Sequence, residues 1–166
     1  MPVNDPKEVF LLLLSDVRRK TERATDFYNA VSEVAEEPEI KEALEARAFV
    51  TEGTLEKIDQ VFKLINQKPI ELTGRLEEIF VEDFRREVAE IKAPVARRLF
   101  ILAKLIHLTH LRIGEYVMLT AAADLTGHFG VGTLLESCLA ENLAFVERTR
   151  RIVHRIAEAK VAAATR

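Results

Sequence analysis

Glu22, Glu52, His110 and Glu141 have side chains suited to binding a metal ion, and all four fall well inside long stretches of helical periodicity. Carboxylates supply hard, charge-neutralising oxygens and an imidazole supplies a nitrogen, so this set would suit one iron or manganese ion. A two-metal site between helices asks for more: Glu-x-x-His pairs, one helical turn apart and facing inward. No such pair falls on a core-facing stripe. Projecting the apolar stripes to mid-helix instead places Thr21, Thr51, Thr109 and Asn142 inside or at the edge, a layer of small neutral polar groups. The nearby charges then read as helix flanks or as ion pairs, such as Arg112 with Glu52 or Glu115, because charges are seldom buried unpaired.

Other constellations carry less. Cys138 is the sole cysteine, so neither an internal disulfide nor a cysteine-based zinc cluster can form, and a reducing cytoplasm is the natural compartment. Its spacing is that of a core residue, with no neighbouring base to activate it. Gly127-x-x-Gly130-x-Gly132 follows a helix rather than a strand and lacks a P-loop lysine. It reads as a helix–helix turn with an exposed His128, not as a phosphate cradle. No Ser/His/Asp arrangement assembles from the helix faces. Arg148, Arg150, Arg151, His154 and Arg155 give the last helix a basic end that suits the negative pole of its dipole. The acids Glu33, Glu36, Glu37, Glu39, Glu42 and Glu45, around the first helix turn, offer that end partners within or between chains.

The elements that must position these groups are helices. Asp5-Pro6-Lys7-Glu8 starts the first with an N-cap acid, a proline at the first position and a glutamate at the third. Phe10, Leu13, Leu14, Val17, Ala24, Phe27, Val31 and Val34 continue it at helical spacing. After Pro38 the series Ala43, Leu44, Ala48, Leu55, Ile58, Phe62 and Ile65 predicts a second helix, stopped by Asn66-Gln67-Lys68-Pro69. A shorter piece over 75–91 carries Leu76, Ile79, Phe80, Phe84 and Val88. The third long helix runs from Pro94 to about Thr126, where Gly127 is placed to cap it. The fourth follows Gly132 with Leu134, Leu135, Cys138, Leu139, Phe145, Val146, Ile152, Val153 and Ile156. Sustained period-two alternation is missing throughout. Two tight turns make two antiparallel hairpins, and the long connection between them can travel the bundle's length. The predicted fold is therefore an all-α, ferritin-like up-down four-helix bundle, with one long crossover carrying a short extra helix. The third helix is apolar almost all round, so it needs a second cover, under the crossover or in a dimer.

Composition agrees. The 166 residues are 48% hydrophobic with only 6 Gly and 5 Pro, and the net charge is -3. A chain of this length folds as one domain, 1–166, without needing a metal or disulfide. Its balance of charge gives no reason to expect nucleic acid or an anionic membrane as partner. The start Met1-Pro2-Val3-Asn4-Asp5-Pro6 lacks the basic region and cleavage site of a signal peptide. Residues 99–123 are apolar, but Lys104, Arg112 and Glu115, with His107 and His110, sit at mid-segment where lipid penalises them most.

The sequence resembles the YciE/YciF-type ferritin-like family of bacterial stress-induced proteins over nearly its whole length. The resemblance rests on Glu8-Val9-Phe10 with Leu13-Leu14-Ser15-Asp16, on Gly53-Thr54-Leu55-Glu56-Lys57-Ile58-Asp59-Gln60-Val61-Phe62, and on Ile113, Tyr116, Leu119, Ala123 and Gly127. It implies a diiron site, and this sequence departs from it at the ligands. The first-helix glutamate falls on Thr21, with Glu22 turned by about 100°. The second-helix Glu-x-x-Glu/His falls on Phe49 and Glu52. Glu-His-Tyr-Glu becomes Thr109-His110-Leu111-Arg112, and Glu-Glu-Lys becomes Glu141-Asn142-Leu143.

These readings together predict a non-enzymatic, stress-related structural or interaction protein. It would be a cytoplasmic homodimer with no metal, cofactor, nucleic acid or membrane partner. The alternative is an oxidoreductase or metal carrier holding iron or manganese in a reduced site at Glu52, His110 and Glu141, with Glu22 poorly aimed. A third reading is a binding module whose mid-bundle space, lined by Phe49, Thr109 and Asn142, takes a small apolar ligand.

Overall fold

The computed structural model describes residues 5–164, with side chains described as far as residue 159. The reading of Met1–Asn4, and the outer bounds of a 1–166 domain, lie outside the described residues. Among these residues there are five helices and no strand: α1 (Pro6–Val34), α2 (Pro38–Leu64), α3 (Leu76–Glu90), α4 (Pro94–Leu125) and α5 (Phe129–Ala164).

The boundaries follow local chemistry. The Asp5 carboxylate accepts from the Lys7 and Glu8 amides at 2.8 and 2.9 Å, satisfying donors that the first turn leaves free. Prolines sit at the start of α1, α2 and α4, where no amide hydrogen is needed. α4 ends in a Schellman motif: the His128 amide reaches the Ala123 carbonyl at 2.8 Å and Gly127 reaches Asp124 at 3.1 Å. Gly127 adopts φ 81°, the left-handed conformation that favours glycine there. Asn66, at φ 52°, ends α2 in the same way.

The predicted glycine turn is shorter than expected. Val131 and Gly132 already donate to the His128 carbonyl, so α5 begins at Phe129 and Gly130 and Gly132 lie in its first turn. His128 is half-buried rather than exposed, because its ring stacks on Phe10 at 5.8 Å.

α1 packs on α2 and α4, and α5 packs on α2 and α4. Two apolar clusters order the ends. One joins Phe10, Leu14 and Val17 of α1 to Ile58 of α2, Tyr116 and Leu119 of α4 and Leu135 of α5. The other joins Phe27 and Val31 to Ile40, Leu44, Ile101, Leu105, Phe145 and Ile152. α1 and α5 therefore run one way and α2 and α4 the other, so every packed pair among these four helices is antiparallel. The 65–93 crossover returns the chain along the bundle. Its α3 lies on α1 and α4, burying Val81, Phe84 and Val88, with Phe80 against His107 and Phe84 stacked on Phe100. That covers the first half of the outer face of α4.

The acidic run and the basic end meet as expected, within the chain: Arg148 pairs with Glu42 at 3.1 Å and Arg155 with Glu39. One helical window among the described residues, within Phe129–Ala159, is long and apolar enough to cross a membrane by length and composition alone. Its Leu135, Cys138 and Asn142 are buried in the bundle.

Candidate functional site

A polar layer separates the two apolar clusters. α1 contributes Thr21, α2 Arg47, Thr51 and Thr54, α4 Thr109 and Arg112, and α5 Asn142, all of them buried. Each falls three or four residues from an apolar neighbour on the same stripe, so helical periodicity turns it inward. Thr21, Thr51 and Thr109 donate to the carbonyls four residues back at 2.8, 2.8 and 2.7 Å. Asn142 Nδ2 donates to the Cys138 carbonyl at 2.7 Å. Burial, with the Glu141 charge beside it, pushes the Cys138 thiol up to about 11, which keeps it an inert core group.

Two guanidinium groups enter this layer. Arg112, 5% exposed, donates to Glu77 of α3 at 3.1 Å and to Glu115 at 2.8 Å. These contacts close a ring of six alternating charges. Glu115 takes Lys20 at 2.6 Å, Lys20 takes Asp16 at 2.5 Å, Asp16 takes Arg19 at 3.0 Å and Arg19 reaches Glu77 at 3.4 Å. Burial opposes the Arg112 charge, yet Glu115 and Glu77 outweigh it and hold the guanidinium above its ordinary range. Asp16 is held below the usual carboxylate value because Lys20 and Arg19 together outweigh burial. Lys20 is held above its own for the mirror reason. The ring ties α1, α3 and α4 together.

Arg47 is the second guanidinium. Its Nε donates to the Tyr28 hydroxyl at 3.0 Å, its Nη2 to Asn142 Oδ1 at 2.6 Å, and it lies 5.1 Å from the centre of the Phe145 ring. Arg47 lies on the stripe Ile40, Ala43, Arg47, Thr51, Thr54 and Ile58, and the period-3.6 signal was present at its position. Glu77 carried no such signal, since its burial depends on where the crossover lands.

The residues expected to ligate a metal do not converge. Glu22 is exposed and pairs with Arg18 at 3.4 Å. Glu52 is exposed, as is His110, whose Nδ1 lies 2.9 Å from the Ile106 carbonyl. Glu141 is half-buried and accepts from Thr54 at 3.0 Å and from Lys57. Among the described residues no group of three or more His, Cys, Asp or Glu is placed to hold a metal ion. Of the two partners expected for Arg112, Glu115 is present, and Glu77 stands where Glu52 was expected. The second-helix register is also corrected. Phe49 is 78% exposed, and the inward pair one turn apart is Thr51 and Thr54, because the buried stripe of α2 bypasses positions 49 and 52. The expected cavity lined by Phe49, Thr109 and Asn142 is therefore not formed. The cleft at this level holds about 10 Å³ and is lined by polar groups, including Thr21, Arg47, Arg112 and Asn142.

A family model described as a domain of unknown function, DUF892, matches residues 5–162. The chain belongs to this family. The stress protein YciF of E. coli is 23% identical with a TM-score of 0.87, over 94% of this chain and 99% of that one. YcfI from Rhodopseudomonas palustris, a candidate structural protein, is 22% identical with a TM-score of 0.84, over 89% and 94%. A Xanthomonas campestris protein is 19% identical with a TM-score of 0.66, over 94% and 99%. At these identities the structural likenesses show the fold. A search of curated proteins finds no match.

The donor set of this DUF892 bundle does not fit the two metal ions that the resemblance implies. The inward positions offer neutral hydroxyls already engaged with backbone carbonyls, one amide and two cations. The buried carboxylate nearest to them, Glu77, is held by Arg112. Four carboxylates would be needed to balance two divalent ions, and a buried guanidinium adds charge of the wrong sign.

Proposed function

We propose that this protein is a non-enzymatic, stress-related structural or interaction protein, a ferritin-like bundle without the diiron site, acting as a cytoplasmic homodimer. The observation that carries this reading is Arg112 at mid-bundle, joined to Glu77 and Glu115. A fixed cation, with one counter-charge brought from the crossover and one from its own helix, occupies the level at which a metal pair would be bound, and it supplies rigidity instead of chemistry. The stress role draws on YciF and the structural role on YcfI, the two solved relatives that this chain resembles in fold. Support for a dimer comes from the second half of α4. Leu111, Met118 and Leu125 are exposed at seven-residue intervals, with exposed Gly114 and Ala121 between them, the pattern of a helix–helix seam.

Elemental analysis of the protein, purified without chelators from cells grown with iron and manganese, tests the central claim. The expected content is far below one metal ion per chain. About two ions of iron or manganese per chain would overturn it.

A further inference from the structure

The buried charges at mid-bundle do not sum to zero. The ring of Asp16, Glu77 and Glu115 with Arg19, Lys20 and Arg112 holds three acids and three bases and is neutral within itself. Among the other described carboxylates near this level, Glu141 is matched by Lys57 and Asp59 by Arg18, while Glu22 and Glu52 are exposed. Arg47 remains over. It is 6% exposed, and its described partners are a phenol oxygen, an amide oxygen and an aromatic face, none of which carries a formal negative charge. A guanidinium cannot shed its proton to escape burial, so the desolvation cost stays unless an anion offsets it.

Arg47 also has donors to spare. Its Nη1 is buried without an acceptor. The Tyr116 hydroxyl, buried in the same cleft, has no well-formed hydrogen bond either. Thr21 and Thr51 spend their hydrogens on backbone carbonyls, so Arg47 Nη1 is the donor in this cleft that has no acceptor. Size decides the ligand class. At about 10 Å³ the cleft admits roughly one body of water's size. Phosphate, sulfate and any metabolite carboxylate are too large.

We propose that the cleft between Arg47 and Tyr116 binds one small monovalent anion of the halide class, with chloride as the ligand to test. The bundle level at which the family resemblance implies metal ions is, in this chain, an anion site. The inference goes beyond the structural role proposed above and needs only the buried, unbalanced charge.

Thermal unfolding of the full chain in sodium chloride, compared with sodium sulfate at equal ionic strength, is the test. Non-specific exclusion favours sulfate, so site binding predicts the opposite order at low concentration. The midpoint in chloride is expected to rise by about 4 °C and saturate, while sulfate at the same strength gives less. In Arg47→Met the chloride advantage is expected to vanish. The proposal is overturned if sulfate stabilises the wild-type protein as much as chloride or more, as it would if a water filled the cleft. It is equally overturned if the advantage persists unchanged in Arg47→Met, which would put the ion elsewhere. Should Arg47→Met not fold, anomalous scattering from wild-type crystals grown in bromide decides: a peak within hydrogen-bond reach of Nη1 supports the site, and its absence there removes it.

Discussion

Arg112 is held by carboxylates from two elements, and the cost of removing it depends on what is left behind. In Arg112→Met the Glu77 carboxylate stays buried with only Arg19 at 3.4 Å. Breaking such a pair from one side is expected to cost about 3–5 kcal/mol, read as a lower urea midpoint. Arg112→Met combined with Glu77→Gln removes the stranded charge and is expected to recover most of that loss. If the two substitutions instead add, the pair is not coupled and the ring does not act as a unit. The same reasoning explains why the residue types alone misled. Glu22, Glu52 and His110 have metal-binding side chains but sit on solvent faces, whereas Arg47, which looks like an ordinary surface residue by type, lies on the buried stripe of α2.

The crossover is the element on which this site depends, since it carries Glu77. Its first part is pinned to α1 by side chains. Ser15 Oγ accepts from the Ile70 amide at 3.0 Å while donating to the Leu11 carbonyl at 2.7 Å, and Arg19 donates to the Gly74 carbonyl at 2.6 Å. Gly74 permits that approach, for a Cβ there would lie 2.9 Å from Arg19 Nη2. Ser15→Ala leaves the Ile70 amide without its partner. The expected loss is about 0.5–1.5 kcal/mol of stability, with amide exchange at Ile70 faster by about tenfold. Hydrogen exchange followed by NMR checks this, and unchanged protection at Ile70 would show that the loop is held by other contacts. The helices themselves were legible because their caps are local. The Asp5 and Pro6 start, the prolines opening α2 and α4, and Gly127 at the end of α4 each act within one turn of the residue concerned. The start of α5 was less legible, because glycine is also tolerated in the first turn of a helix and nothing in Gly130 or Gly132 marks the difference.

At the scale of the whole molecule, the question is what covers the second half of α4. The crossover shields its first half through Phe80 and Phe84, and beyond that Met118 and Leu125 remain 58% and 75% exposed. Two copies joined along this seam would bury both. Met118→Glu is expected to shift a dimer to monomer in analytical ultracentrifugation, whereas Phe49→Glu, on the exposed side of α2, is expected to leave it unchanged. A monomeric wild-type protein at micromolar concentration would sink the dimer.

Periodicity, proline and glycine placement and one long connection were enough, from sequence, for the helices and the up-down order with a crossover. These are short-range consequences of backbone geometry and of apolar residues recurring every three or four positions. The polar layer of Thr21, Thr51, Thr109 and Asn142 was legible for the same reason. Beyond the Arg112–Glu115 pair and the meeting of the acidic run with the basic end, the tertiary structure alone decided which charges meet. The Asp16–Arg19–Glu77–Arg112–Glu115–Lys20 ring joins residues up to a hundred positions apart in the chain, and its closure depends on where α3 docks. The unbalanced charge on Arg47 emerged only once the other buried charges had been paired in space, because electrostatic balance belongs to the assembled interior and not to any stretch of chain.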